Sequence, residues 1–532
     1  MLAVNKASLS QSPAKSNMTM VSSTSLATTI SRNTFFGIIA SLTQMGTRLV
    51  TVPVVIGHLG LDGYGIWSII MVAAGYMRFG SAGIKSAFLK YVAEATGNRD
   101  FSKASQLLST GSLGIFVFSI VGIIPFVMFS GTLAHAVGIP EHLSTSAAEA
   151  TTVLAVIMIL TNVGGVYESI VMGGHRIDLI RMLNTVTSIM EAVALVGVLY
   201  LGYGLFAMAV VMASSEVIRV AFCFFAAKKI VPEIQIGTGN IASKTLPVLV
   251  RFAGSYQLVA ILEVLYAGIL PLALLKLFGA DIAGLYAVAY RLISAAALPS
   301  EAFVLPLLSS LSMVHATSSG EQLQLLLTKS FKATCALVML PLAFAATFGP
   351  LIILAWTGLT DPAFHLVLWI LCLATMFKGF SLLGLVLYRA SGKAVMDNVR
   401  QVIRIIVLGA VCYFGKQIGF LGIVSSLAIA ECVGFVFMWM VVSQVYEALS
   451  IRRLFPDAAK IMAATCLIIL VSVLVTNIPV PWTGDERSLA LLKLGMTALA
   501  TIVAIWPAIL LTGSLSKSEL HAVLPISGLF SK

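Results

Sequence analysis

The sequence predicts an all-α polytopic membrane protein of about fourteen transmembrane helices, arranged as two six-helix lobes plus two C-terminal helices, with both termini in the cytoplasm. Three observations carry that prediction. Apolar residues fill 59% of the 532 positions and charged residues only 10%, with a mean hydropathy of +1.00. A soluble domain carries about 25% charged residues, so this composition cannot cover a water-facing surface. Apolar runs of about 18 residues or more recur along the chain, enough to cross a hydrocarbon core of about 30 Å. Lys and Arg collect in every second connection between those runs. The short alternating strands of a transmembrane barrel do not occur, and helices are then the remaining way to satisfy each backbone N–H and C=O inside lipid.

Residues 1–31 are rich in Ser, Thr, Ala and Asn and lack an apolar stretch with a cleavage site, so they read as a disordered cytoplasmic tail, with Met18 or Met20 as an alternative start. The expected spans are 33–56, 63–84, 107–130, 148–172, 180–200, 204–226, 248–275, 283–311, 331–355, 363–388, 401–415, 418–446, 461–480 and 489–513. Connections on one side hold 24 Lys and Arg residues. The other side holds only Lys276, Lys416, Arg487 and Lys493. Positive charge is retained on the cytoplasmic face, which fixes the orientation and accounts for most of the formal charge of +11. A nucleic-acid role is not implied. The six cysteines fall in apolar spans without metal-like spacing and read as small core hydrophobes.

A repeat divides the chain. Gly60, Asp62 and Gly65 return 219 positions later as Gly279, Asp281 and Gly284, and Trp67 returns as Tyr286. Arg32 falls opposite Arg251, and Gln44 opposite Glu263. Six helices per repeat give both lobes the same orientation, related by an axis along the membrane normal. The expected units are an N-terminal lobe at 32–245, a C-terminal lobe at 246–450, and two further helices and a tail at 451–532.

Several ionisable residues lie inside the spans, where each costs at least about 2.5–3.5 kcal/mol at a helix centre and so faces a cavity or a partner. Arg48 lies roughly 12 Å below the outer end of helix 1, with Arg291 at similar depth in helix 8. Arg78 and Lys378 lie in the inner halves of helices 2 and 10, and Glu301 near the inner end of helix 8. Glu191, Glu216, Glu263 and Glu431 lie near mid-depth. Three polar stripes suit a solvated lumen: Gly37, Ser41, Gln44, Arg48 and Thr51; Met71, Gly75, Arg78, Ala82 and Lys85; and Arg291, Ser294, Leu298 and Glu301. Arg48, Arg78, Arg291, Lys378 and Gln44 are the candidate substrate-binding residues. Glu263, Glu191 and Glu431 are candidates for ion coupling, an ion pair or helix packing. Glu216 and Arg219, spaced i, i+3, neutralise each other on this reading. The chain has no GxxxxGK[ST] loop and no HExxH motif, and its connections are too short for an extramembrane catalytic domain. It is therefore expected to be no enzyme and to need no cofactor or metal.

The run Leu59-Gly60-Leu61-Asp62-Gly63-Tyr64-Gly65-Ile66-Trp67 resembles the opening of the polysaccharide transporters, the O-antigen-type lipid-linked oligosaccharide flippases. Lys90-Tyr91-Val92-Ala93-Glu94, Pro306-Leu307 with Ser309, Pro341-Leu342, Trp356-Thr357-Gly358 and Ala390-Ser391-Gly392-Lys393 are similar to the same family in order and placement. The resemblance implies the MOP superfamily, which includes MATE exporters and the lipid II flippase, with two lobes in a V around a cavity. It implies flipping of undecaprenyl-diphosphate-linked O-antigen, capsule or exopolysaccharide units across the cytoplasmic membrane by alternating access, with Arg48, Arg78 and Arg291 on the diphosphate. The expected partners are the lipid-linked oligosaccharide and membrane lipids, with a polysaccharide polymerase and chain-length proteins as further candidates. The alternative is an ion-coupled MATE-type multidrug exporter; a helix 1 that offers Gln44 and Arg48 and no acid argues against cationic drugs.

Overall fold

The structure, a computed structural model, describes residues 23–78, 88–89, 91–92, 94–95, 98–174, 176–317, 320–390, 395–445 and 451–513. Residues 1–22 of the expected tail, Ala82 and Lys85 of one stripe, and parts of the Lys90–Glu94 and Ala390–Lys393 motifs lie outside them. So do the side chains of Arg32, Arg251, Pro306 and Ser309. Fourteen long or short α-helices and two 3-10 turns make up the described residues, which include no strand. They are α1 Ser23–Met77, α2 Phe101–Met128, α3 Ser130–Val137, α4 Glu141–Gly173, α5 Ile177–Tyr200, α6 Leu205–Ile230, α7 Leu246–Phe278, α8 Ala280–Thr317, α9 Gly320–Thr357, α10 Ala363–Ala390, α11 Val395–Gly415, α12 Phe420–Val445, α13 Ile451–Thr476 and α14 Glu486–Thr512. Thirteen of them are long and apolar enough to cross a membrane.

Helix α1 contains the first two expected spans. It breaks at Gly60, whose φ of 75° and ψ of 177° lie outside helical values. The residue between α7 and α8, Gly279, adopts almost the same angles, 90° and 177°. A positive φ is open to glycine at little cost, so the sequence repeat is also a repeat of backbone geometry. Counting the two arms of α1 separately gives the fourteen expected crossings. Neighbour pairing recurs too. The first arm of α1 packs on α5, α2 on α4, α4 on α6 and α5 on α6; α7 packs on α11, α9 on α10, α10 on α12 and α11 on α12. Helices α13 and α14 pair with each other and lean on α9.

Three boundaries differ from the sequence reading. Helix α1 begins at Ser23, inside the stretch expected to be a tail, because extending a nucleated helix costs far less than starting one. The short α3 follows Phe129 and ends at Gly138, which has a φ of 85°; eight residues are too few to register as a span. Helix α11 starts at Val395 rather than 401, which adds Asp397 and Arg400 to Gln401 and Arg404 in one helix. Those four residues follow i, i+3, i+4, i+7 spacing and are all buried, whereas Met396, Val399, Val402 and Ile406 are exposed. Polar inside and apolar outside is the arrangement lipid requires.

The apolar packing divides along the helix axes. One core joins both halves at the Gly60 and Gly279 end, with Val52, Ile56 and Ile70 beside Tyr286, Val288 and Ile293. At the opposite end each half closes its own core. Phe88, Leu108, Ile170 and Cys223 belong to one, and Leu307, Leu327, Val386 and Trp439 to the other. Among the described residues the halves thus share one core at one end and have separate cores at the other, with Tyr76 of one half still against Gly268 of the other. Cys466, unlike the four buried cysteines, is exposed on α13.

Candidate functional site

Two of the candidate arginines lie at the edge of the shared core. In α1 that core starts at Val52, and in α8 it reaches Ile293. Arg48 stands one turn below Val52, and Arg291 stands beside Ile293. Each is twelve residues from its glycine, Gly60 or Gly279, a depth of about 18 Å at helical rise. The charges of Arg291, Glu191 and Tyr64 act on Arg48. Among the described residues, neither guanidinium has a carboxylate within 4.0 Å. Arg48 is exposed and Arg291 half-buried, and a guanidinium without a carboxylate at ion-pair distance can bind an anion in bidentate fashion. Gln44 is exposed one turn from Arg48 on the same face.

The other candidates are engaged. Arg78, at the end of the second arm of α1, lies 3.7 Å from Glu216 on α6. Glu216 also accepts from Arg219 Nε at 2.9 Å, and Arg219 Nη1 reaches Glu168 at 3.2 Å. The i, i+3 pair therefore belongs to a four-residue network. Lys378 on α10 donates to Glu301 on α8 at 2.9 Å, and both side chains are about half exposed. Glu191 accepts from the Ser215 hydroxyl at 2.9 Å. Glu263 accepts from the Gln401 amide at 3.3 Å and contacts neither Arg48 nor Arg291.

Glu431 is different: it is buried, ion-paired with Arg404, and accepts from the Tyr266 hydroxyl at 3.1 Å. Arg404 also donates to Gln401 and lies over the Tyr266 ring, 4.0 Å from its centroid. Gln401 thus links the buried pair to exposed Glu263. The sequence reading placed Gln401 and Arg404 at the start of the 401–415 span, counted Arg404 with the cytoplasmic-side charges, and missed this network. The polar stripe from Asp397 to Arg404 is the signal that could have revealed it, but the charges of Asp397 and Arg400 lower local hydropathy and move the apparent helix start past those two.

The structure therefore sets Arg48 within the electrostatic influence of Arg291 and Glu191, joins Arg78 to Glu216, and joins Lys378 to Glu301. These features define a multi-pass helical membrane protein built of two similar halves. The chain belongs to the polysaccharide biosynthesis protein family, whose model matches residues 58–358. No curated protein matches it by sequence. Its fold is similar to that of the lipid II flippase MurJ in an inward closed conformation, at 14% identity and a TM-score of 0.66, over 88% of this chain and 97% of that one. It is also similar to an inward-facing multidrug resistance MATE transporter of the MOP superfamily, at 17% identity and a TM-score of 0.59, over 77% and 95% of the two chains. A MOP superfamily transporter from Pyrococcus furiosus, noted for the reverse polarity of its binding pocket, matches at 17% identity and a TM-score of 0.58, over 78% and 96%.

Proposed function

We propose that the protein carries undecaprenyl-diphosphate-linked oligosaccharide units across the cytoplasmic membrane by alternating access. The observation that carries this reading is the unpaired Arg48 and Arg291 at the edge of the shared core, in a chain of the polysaccharide biosynthesis family. A diphosphate offers oxygens to both guanidiniums, and the prenyl tail remains in lipid between the halves. The rocking bodies are the lobes at 32–245 and 246–450, with 451–532 as an accessory pair. With the Lys- and Arg-rich connections in the cytoplasm, both termini are cytoplasmic, the joined Gly60 and Gly279 end faces outward, and a cleft between the lobes receives substrate from inside. Loading at the arginine pair precedes parting of the joined end, and the halves then close on the cytoplasmic side. Glu191 and Glu263 are the carboxylates suited to an ion-coupling role, because each accepts a hydrogen bond from a neutral side chain, Ser215 or Gln401. Glu431, held by Arg404, serves as a structural ion pair.

The test is surface glycan export in a deletion strain. Arg48→Ala and Arg291→Ala should each abolish export while the protein remains in the membrane at normal level. Full export by both variants overturns the reading. A changed drug-susceptibility profile with normal glycan would instead favour the ion-coupled exporter.

A further inference from the structure

Around Arg291, α8 carries Tyr290, Ser294, Leu298 and Glu301 within one sector of the helix over about 16 Å, and Tyr290, Leu298 and Glu301 are exposed. Tyr290 is the unusual member. Its neighbours Tyr286, Ala289 and Ile293 are buried, yet Tyr290 is 43% exposed. Its ring is stacked on buried Tyr286, with centroids 5.7 Å apart and planes 23° apart. An exposed aromatic face backed by a buried one is held in place before any ligand arrives. The field of Tyr290 reaches Lys378, whose ammonium donates to Glu301 at 2.9 Å, and both of those side chains are half exposed. An apolar ring face, an ammonium and a carboxylate together suit a sugar, whose C–H face packs on an aromatic ring and whose hydroxyls both donate and accept.

We infer that Tyr290, Lys378 and Glu301 form a saccharide subsite on α8, running from the arginine pair toward the open end of the cleft. Tyr290 is the platform for the first sugar rings, and the Lys378–Glu301 pair bonds hydroxyls further along. This assignment rests on the diphosphate reading of Arg48 and Arg291 and adds to it the part of the cargo those arginines do not touch. The track favours glycans that present a flat C–H face near the diphosphate.

Two probes test it on the purified full-length protein: bare undecaprenyl diphosphate, and the glycosylated lipid extracted from a strain lacking the transporter. Tyr290→Ala should weaken the glycosylated probe about tenfold and shift the bare lipid less than twofold. Tyr290→Phe, which keeps the ring, should recover glycosylated binding. Arg48→Ala should weaken both probes. Equal loss of both probes in Tyr290→Ala, or loss of neither, overturns the subsite and leaves the arginine reading standing. Failure of the unaltered protein to bind either probe, or indifference of both to Arg48→Ala, overturns the arginine reading and the subsite with it.

Discussion

Gly65 and Gly284, 219 positions apart in sequence, meet backbone to backbone where the two halves join. A Cβ on Gly65 would run into the Ala280 carbonyl and come within 2.8 Å of the Gly284 nitrogen; a Cβ on Gly284 would run into the Leu61 carbonyl. Leu61 and Ala280 are themselves related by the 219-position repeat, so the contact is reciprocal, as expected of two halves around a two-fold axis. Neither side offers a flexible side chain that could give way. Gly65→Ala or Gly284→Ala should cost about 1–3 kcal/mol of the joined arrangement through overpacking. Spin-label distances across this end should lengthen in both variants. Gly57→Ala, with nothing within 4 Å of its added Cβ, should leave them unchanged.

The Arg404–Glu431 pair gives a prediction of opposite character. Both side chains are buried, and one carboxylate oxygen of Glu431 and the Nε of Arg404 have no hydrogen-bond partner. Removing one partner leaves a bare charge in an apolar interior, at a cost of roughly 3–5 kcal/mol, whereas replacing both with apolar residues is often close to neutral. Arg404→Met and Glu431→Leu should each lower the melting temperature in detergent sharply. The double variant should recover most of that loss, and the coupling is read from the double-mutant cycle. Additive losses would remove the pair from its structural role.

The contrast between these two features explains what the sequence discloses. Span number follows from hydropathy, because lipid demands long apolar runs. The Gly60 and Gly279 repeat is legible because a positive φ restricts the residue choice at those positions. The depths of Arg48 and Arg291 follow from helical rise alone. What the sequence conceals is pairing across helices. Arg404 reads as the edge of a span because the charges around it lower the hydropathy of its window. Nothing local links it to Tyr266 or Glu431, which are 138 and 27 residues away. Arg78 and Lys378 read as free cavity cations until the fold sets Glu216 and Glu301 beside them.

The fork geometry of Arg48 and Arg291 separates charge from shape. Arg48→Lys and Arg291→Lys keep the positive charge but lose the planar pair of donors that fits phosphate oxygens. Glycan export in these variants should fall well below that of the unaltered protein and stay above that of the alanine variants. Export equal to the unaltered protein would mean that charge alone is used at this site.

A last relationship ties the C-terminal pair to the joined end. The Trp356 indole donates to the Leu49 carbonyl of α1 at 2.7 Å. Arg487, in the first turn of α14, donates to the carbonyls of Ala355 at 3.0 Å and Trp356 at 2.8 Å. The end of α9 is thus held from one side by α14 while it holds α1 on the other. Asp485 caps α14 and accepts from Ser488, whose hydrogen bonds keep its carboxyl below the usual carboxylate range. With the folded pKa depressed, the cap is intact at neutral pH and is lost only as pH falls through that lowered value. Each neutral hydrogen bond contributes about 1 kcal/mol, so Trp356→Phe should shift the balance toward the parted state about fivefold. Arg487→Ala, which removes two bonds, should shift it further. Accessibility of a cysteine introduced at Leu49 to a membrane-impermeant thiol reagent measures both. Unchanged labelling in the two variants would mean that the strap does not restrain the joined end.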